Sequence, residues 1–182
     1  MDNNLISLFR KIYEPISPKQ FDANEWWIIF ITSMVVLIII FLHKKYRKIS
    51  LSELLFIFLF NIYYASVGDY VLAVKPVDLY DTVDRNSGEL FDMPLHIITY
   101  PGVLYIFLFY FLVKRPKKTT FVFICAALLT FFEWVSVEFF HLFLYKGWNL
   151  FLSFPFYAIV VYLNLAAFLY IHTRLRKEKS PS

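Results

Sequence analysis

The sequence predicts an all-α protein, a polytopic transmembrane bundle of five helices with its N-terminus outside and its C-terminus in the cytoplasm. Three observations predict it. Of 182 residues, 59% are hydrophobic and 21% aromatic, more than a soluble domain normally carries. Apolar runs of roughly 20 residues, the length needed to cross a hydrocarbon core of about 30 Å, account for nearly the whole chain. Lysine and arginine gather at alternate connections, which sets the direction of insertion.

In chain order, residues 1–24 form an extracytoplasmic N-terminal segment. Leu5, Leu8, Phe9 and Ile12 recur there at helical spacing, joined by Ile6 and Tyr13, in a stretch too short to span a bilayer. It reads either as a helix lying in the outer interface or as a frayed terminus, and Pro15 and Pro18 would end the helix in both cases. Residues 25–173 form the bundle. Its first span, 26–42, holds no charge and does not resemble a removable signal peptide, because it starts late, is long and lacks a small-residue cleavage pattern. The second covers 51–74, with Glu53 at one end and Asp69 near the other. The third, 95–113, stops at the basic stretch around Pro116; the fourth is expected over 119–145 and the fifth over 148–173. Residues 174–182 are a basic cytoplasmic tail.

Four lysines and arginines fall in each of the stretches 43–48, 114–118 and 174–182. The connection 75–92 has only Lys75 and Arg85 against five acids, and the turn at Lys146 has one basic residue. These alternations place the chain in the cell membrane with the orientation given above. The net charge of +4 is therefore a membrane-orientation signal and not a nucleic-acid signature. Expected partners are the lipid bilayer and other membrane proteins, with no nucleic acid. Cys125 is the only cysteine, which excludes an internal disulfide and a cysteine-based metal cluster within one chain.

Asp78, Asp81 and Asp84 step by three, whereas an EF-hand loop needs oxygen ligands at alternate positions and a glutamate at the twelfth, so this stretch reads as a solvated acidic loop with a turn at Asn86, Ser87 and Gly88. Glu53 and His172 lie near cytoplasmic ends, where water or basic neighbours satisfy them, and Asn164 suits a cross-helix hydrogen bond. Trp26, Trp27, Tyr145 and Trp148 fit an aromatic belt at the outer interface. Pro101 and Pro155 are expected to kink their spans. No phosphate-binding loop, nucleophile elbow, His-Glu-x-x-His or dinucleotide fingerprint occurs.

Ionisable groups in lipid are costly unless they face the bundle interior, so their depth matters. Counting about 1.5 Å per residue from the cytoplasmic ends places Asp69 roughly 27 Å and Glu133 roughly 21 Å along their helices, with Glu138 and His141 further out. His96 enters near the outer start of the third span, just after Asp92. Asp69, Asp92, His96, Glu133, Glu138 and His141 thus concentrate in the outer half. On one continuous helix Glu138 and His141 would lie about 60° apart and Glu133 about 80° from His141, so one broad face could carry all three.

Glu-x-x-His is the unit that carboxylate-bridged di-metal bundles take from two helices, and here it occurs once. Glu138, His141, Glu133 and Asp69 are the metal-ligand candidates, with His96 able to complete a site if three helices meet at that depth. The competing reading is a buried hydrogen-bonded network using Asn61 and the tyrosines Tyr63, Tyr64, Tyr100 and Tyr145, or a pocket for a small polar ligand.

Glu133-Trp134 in mid-helix, Glu138, and then Tyr145, Gly147, Trp148 and Asn149 before a final span resemble a group of small, uncharacterised multi-pass membrane proteins from spore-forming Gram-positive bacteria. The resemblance covers mainly the last two spans. It implies a membrane location and a helical bundle, and it brings no activity, cofactor or catalytic residue. Two functions follow as expectations: a non-enzymatic partner or scaffold in a membrane assembly, or a metal- or proton-binding enzyme or transporter using the outer carboxylates and histidines.

Overall fold

The computed structural model describes residues 3–84 and 89–177. The turn expected at Asn86, Ser87 and Gly88, the tail from residue 178 onward, and the side chains of Leu5 and Ile6 lie outside the described residues. Six helices carry the fold: α1 (Asn3–Tyr13), α2 (Ala23–Tyr46), α3 (Leu51–Leu72), α4 (Asp92–Lys114), α5 (Lys118–Glu138) and α6 (Leu150–Lys177). The last five are each long and apolar enough to cross a membrane, so the chain is a multi-pass membrane protein. Two strands of three residues, β1 (Tyr80–Thr82) and β2 (Phe143–Tyr145), pair antiparallel and form a short ribbon at one end of the bundle. The basic connections lie at the other end.

Local chemistry sets the helix ends. Asp22 and Glu25 make a reciprocal capping box at the start of α2, as Ser50 and Glu53 do for α3, so orphan amides are met by side chains. Arg47 and Arg115 close α2 and α4 in the left-handed conformation, and Pro116 blocks any continuation of α4. α4 is the central helix, with Leu95, Leu104, Tyr105, Leu108, Phe109 and Phe111 all buried. Its packing on α2 is close at Gly102, where an added Cβ would come within 2.3 Å of Val35 Cγ1. Thr32 and Thr99 join the same two helices by a 2.8 Å hydroxyl contact.

The main core, centred on Leu104, Tyr105, Leu108 and Phe168, lies in the middle and basic part of the bundle. A smaller one, Ile28, Val83, Leu95 and Leu142, sits under the ribbon. Between them α4 changes its winding, with a π turn at Leu95–Thr99 in which the Tyr100 N–H reaches back to the Leu95 carbonyl. Pro101 supplies the reason: it has no N–H for the carbonyl four residues back and its ring would crowd that carbonyl, so the turn before it widens.

Several expected boundaries move. The largest correction concerns the fourth span, which stops at Glu138 and not at 145. His141 adopts φ 52°, outside the helical region, and Leu142 turns inward to bond the Ser136 carbonyl and join the small core. Residues 143–145 then have a better use as β2, whose backbone groups pair with β1. α2 and α6 run further into the basic flanks than expected, to Tyr46 and Lys177, because lysine and arginine favour the C-terminal ends of helices. α1 forms as a helix, with Leu8, Phe9, Ile12 and Tyr13 exposed.

Candidate functional site

Ionisable and hydroxyl groups converge at the ribbon end from α3, α4, α5, α6 and both strands. The ribbon organises them. Tyr80 and Tyr145 are register partners, so their side chains leave the same face of the ribbon. Each phenol meets a carboxylate on a different helix: Tyr80 donates to Asp69 Oδ1 of α3 at 2.6 Å, and Tyr145 donates to Glu133 Oε1 of α5. Burial first, and then the charge of Asp69, push the Tyr80 phenol far above its ordinary pKa. Burial and the bond to Glu133 do the same for Tyr145, so both phenols remain protonated donors.

Asp69 also lies 2.7 Å from Nε2 of His96, through its Oδ2. That contact is an ion pair, and Nε2 has no other hydrogen-bond partner among the described residues. The other ring nitrogen, Nδ1, is 3.6 Å from Asp92 Oδ2, one helical turn earlier on α4. Asp92 is only 5% exposed, and its Oδ1 has no hydrogen-bond partner among the described residues. Each of Asp69, Asp92 and His96 presents one ligand atom within 4.8 Å of the other two.

The Glu133 side of the cluster is better supplied. Its Oε1 accepts from Tyr145 and from Ser153 Oγ at 2.8 Å, and Trp148 Nε1 donates to Ser153 in turn at 2.8 Å. Glu133 Oε2 is buried without a hydrogen-bond partner among the described residues. Tyr100 of α4 stands between the two halves, close enough to feel the charges of Asp69, Asp92 and Glu133, with its ring 5.4 Å from that of His96.

The ribbon's loops are tied down from behind. Lys146 bridges Asp78 at 2.8 Å and Asp81 at 2.9 Å, and those hydrogen bonds raise its amine above the ordinary value. The backbone N–H groups of Lys146, Gly147 and Trp148 all converge on the Leu79 carbonyl, and Gly147 lets them, since a Cβ there would press on Leu79 Cδ2 at 3.1 Å. Lys19 and Gln20 backbone amides cap the Asp84 carboxylate, so the segment before α2 is anchored to the same roof.

The structure brings Asp69, His96, Tyr100 and Glu133 into one cluster and leaves Glu138 and His141 out of it. Both of the latter are exposed, and the Glu-x-x-His unit is broken because His141 lies beyond the helix end. Asn61 sits elsewhere, deep in the bundle, donating to Asn164 Oδ1 at 2.7 Å across α3 and α6. Glu53, expected to be satisfied by water or basic neighbours, is buried and meets one such neighbour, His172, at 2.5 Å. Tyr63 and Tyr64 face outward.

Tyr80 and Ser153 went unseen in the sequence. No local signal marks Tyr80, whose role depends on pairing with a strand more than sixty residues away. Comparison with protein-family models, curated proteins and solved structures finds no match for this chain.

Proposed function

We propose that this protein is a non-enzymatic partner in a membrane assembly, docking a transmembrane helix of another protein along α3. The observation that carries this reading is a shallow groove on the bundle's outer surface lined by Leu59, Ile62, Tyr63, Ser66, Val67 and Tyr70. These residues follow steps of three and four, so they form one stripe down the helix. Tyr63 and Ser66 lie well inside the span, and neither hydroxyl is hydrogen-bonded among the described residues. A hydroxyl facing hydrocarbon has no water to bond, whereas a neighbouring helix can supply a carbonyl and pack closely over a serine.

In this reading the ribbon end faces outward and the basic end faces the cytoplasm of the cell membrane, as the asymmetry of lysine and arginine favours. The cluster of tyrosines and carboxylates holds the ribbon to the bundle.

Photo-crosslinking in native membranes tests the docking face. A benzophenone amino acid replacing Tyr63 should give a discrete protein adduct that a second substitution, Ser66→Trp, abolishes. The same probe replacing Leu163, on the exposed side of α6, should give lipid adducts only. Lipid adducts alone at position 63, or a protein adduct indifferent to Ser66→Trp, would defeat the proposal.

A further inference from the structure

We infer that Asp69, Asp92 and His96 form a binding site for a divalent transition-metal cation, of the Zn²⁺ or Mn²⁺ class, which links α3 to α4 beneath the ribbon. The inference is independent of the docking face on α3.

Three features point to it. First, the donor atoms already converge: one from each residue, all mutually within 4.8 Å. Two ligands bound at about 2.1 Å to one metal stand roughly 3.0–3.4 Å apart, so His96 Nε2 and Asp69 Oδ2, which meet at 2.7 Å as a direct ion pair, would open by only a few tenths of an ångström to admit a cation.

Second, Asp92 is a buried carboxylate with unspent capacity. Its side chain is 7% exposed, Oδ1 has no partner among the described residues, and Oδ2 reaches His96 only at 3.6 Å. A buried oxygen of this kind costs free energy unless something satisfies it.

Third, the charge does not balance. Asp69 and Asp92 share the single imidazole of His96, at 2.7 Å and 3.6 Å, and Glu133, held by the ribbon's Tyr145, is the third carboxylate of the cluster. Among the described residues no lysine or arginine pairs with any of the three; Lys146 is engaged by Asp78 and Asp81. A divalent cation would supply the missing positive charge at the position where the donor atoms meet.

The donor set selects the metal class. Calcium takes six to eight oxygen ligands, and an imidazole is a poor substitute for one of them. One nitrogen with two carboxylate oxygens suits zinc or manganese, and three protein ligands leave room for an exogenous one. Residual exposure of the Asp69 and His96 side chains, 19% and 13%, gives an approach to the site.

The test uses the full-length protein purified in detergent, stripped with a chelator and titrated with zinc chloride or manganese chloride, with bound metal counted by mass spectrometry. One equivalent per chain is expected. Asp92→Asn, which keeps the side-chain shape, should weaken binding by roughly 100-fold or more, and the double variant Glu138→Gln/His141→Ala should leave it unchanged. Because a core variant can fail to fold, electron spin-echo spectra of the unmutated manganese-loaded protein give a second readout, where one histidine nitrogen should couple to the metal. Absence of stoichiometric metal, absence of nitrogen coupling, or loss of metal in the Glu138/His141 variant would each overturn the site.

Discussion

Each end of this bundle buries a carboxylate against an imidazole, and the two pairs differ in what is left over. At the basic end Glu53 spends both oxygens. Oε2 accepts from the Ser50 amide at 2.6 Å, and Oε1 meets His172 Nδ1 at 2.5 Å, joining the start of α3 to α6. At the ribbon end Asp69 is likewise engaged by Tyr80 and His96, but Asp92 adds a further carboxylate beside the same ring with an oxygen unspent. The same residue types make a clasp in one place and a candidate site in the other. Acceptor capacity separates them, and residue identity does not.

The largest effect is expected at the clasp. Glu53→Ala removes one partner of a buried pair together with a helix cap, and should cost about 3 kcal/mol or more in thermal unfolding. Glu53→Gln should recover much of that, since an amide can still meet both neighbours. Equal stabilities for the two variants would mean that Glu53 and His172 are neighbours without being a clasp.

A smaller effect is expected at the ribbon. Tyr145→Phe deletes the donor to Glu133 and should cost about 1–2 kcal/mol, seen as faster amide exchange in residues 80–82 and 143–145 while the helices keep their protection. If exchange in the ribbon were unaltered, the phenol would not be what holds it down. Asn61→Leu strands Asn164 within the bundle and should cost about 0.6 kcal/mol, with the double change Asn61→Leu/Asn164→Leu less harmful than the sum of the single ones.

Lys146→Met gives the smallest effect, a melting temperature within error of the parent. The lysine is well exposed, so solvent screens its bonds to Asp78 and Asp81. Its pKa is raised in the folded state, so whatever stability it adds is fully present at neutral pH and is lost only as alkali passes the folded value. A fall in stability between pH 6 and 8 that Lys146→Met removed would contradict this assignment.

Span number and the rough depth of Asp69, His96 and Glu133 were legible because a hydrocarbon core demands long apolar runs, and a helix converts residue count into distance. The ribbon was illegible. Three-residue strands carry almost no periodicity, and their pairing across the whole of α4 and α5 is a non-local fact that no window along the chain records. This is why Tyr80 was hidden in what read as a solvated acidic loop. His141 misled for a related reason: Glu-x-x-His spacing has meaning only on a continuous helix, and aromatic residues of the membrane interface continue past Glu138 whether the helix does or not.

The π turn in α4 makes the ribbon-end triad a matter of arithmetic as well as chemistry. A π turn is one residue inserted into an α-helix, and each residue advances the chain by about 100°. Everything before Leu95, Asp92 included, is therefore rotated by that amount from where an unbroken helix running back from Leu104 would place it. A chain shorter by a single residue between Pro94 and Pro101 could keep all five spans, the main core and the clasp, and still turn Asp92 away from Asp69. A length change of one, invisible to any tally of carboxylates and histidines, would be enough to separate a bundle with the triad from a bundle without it.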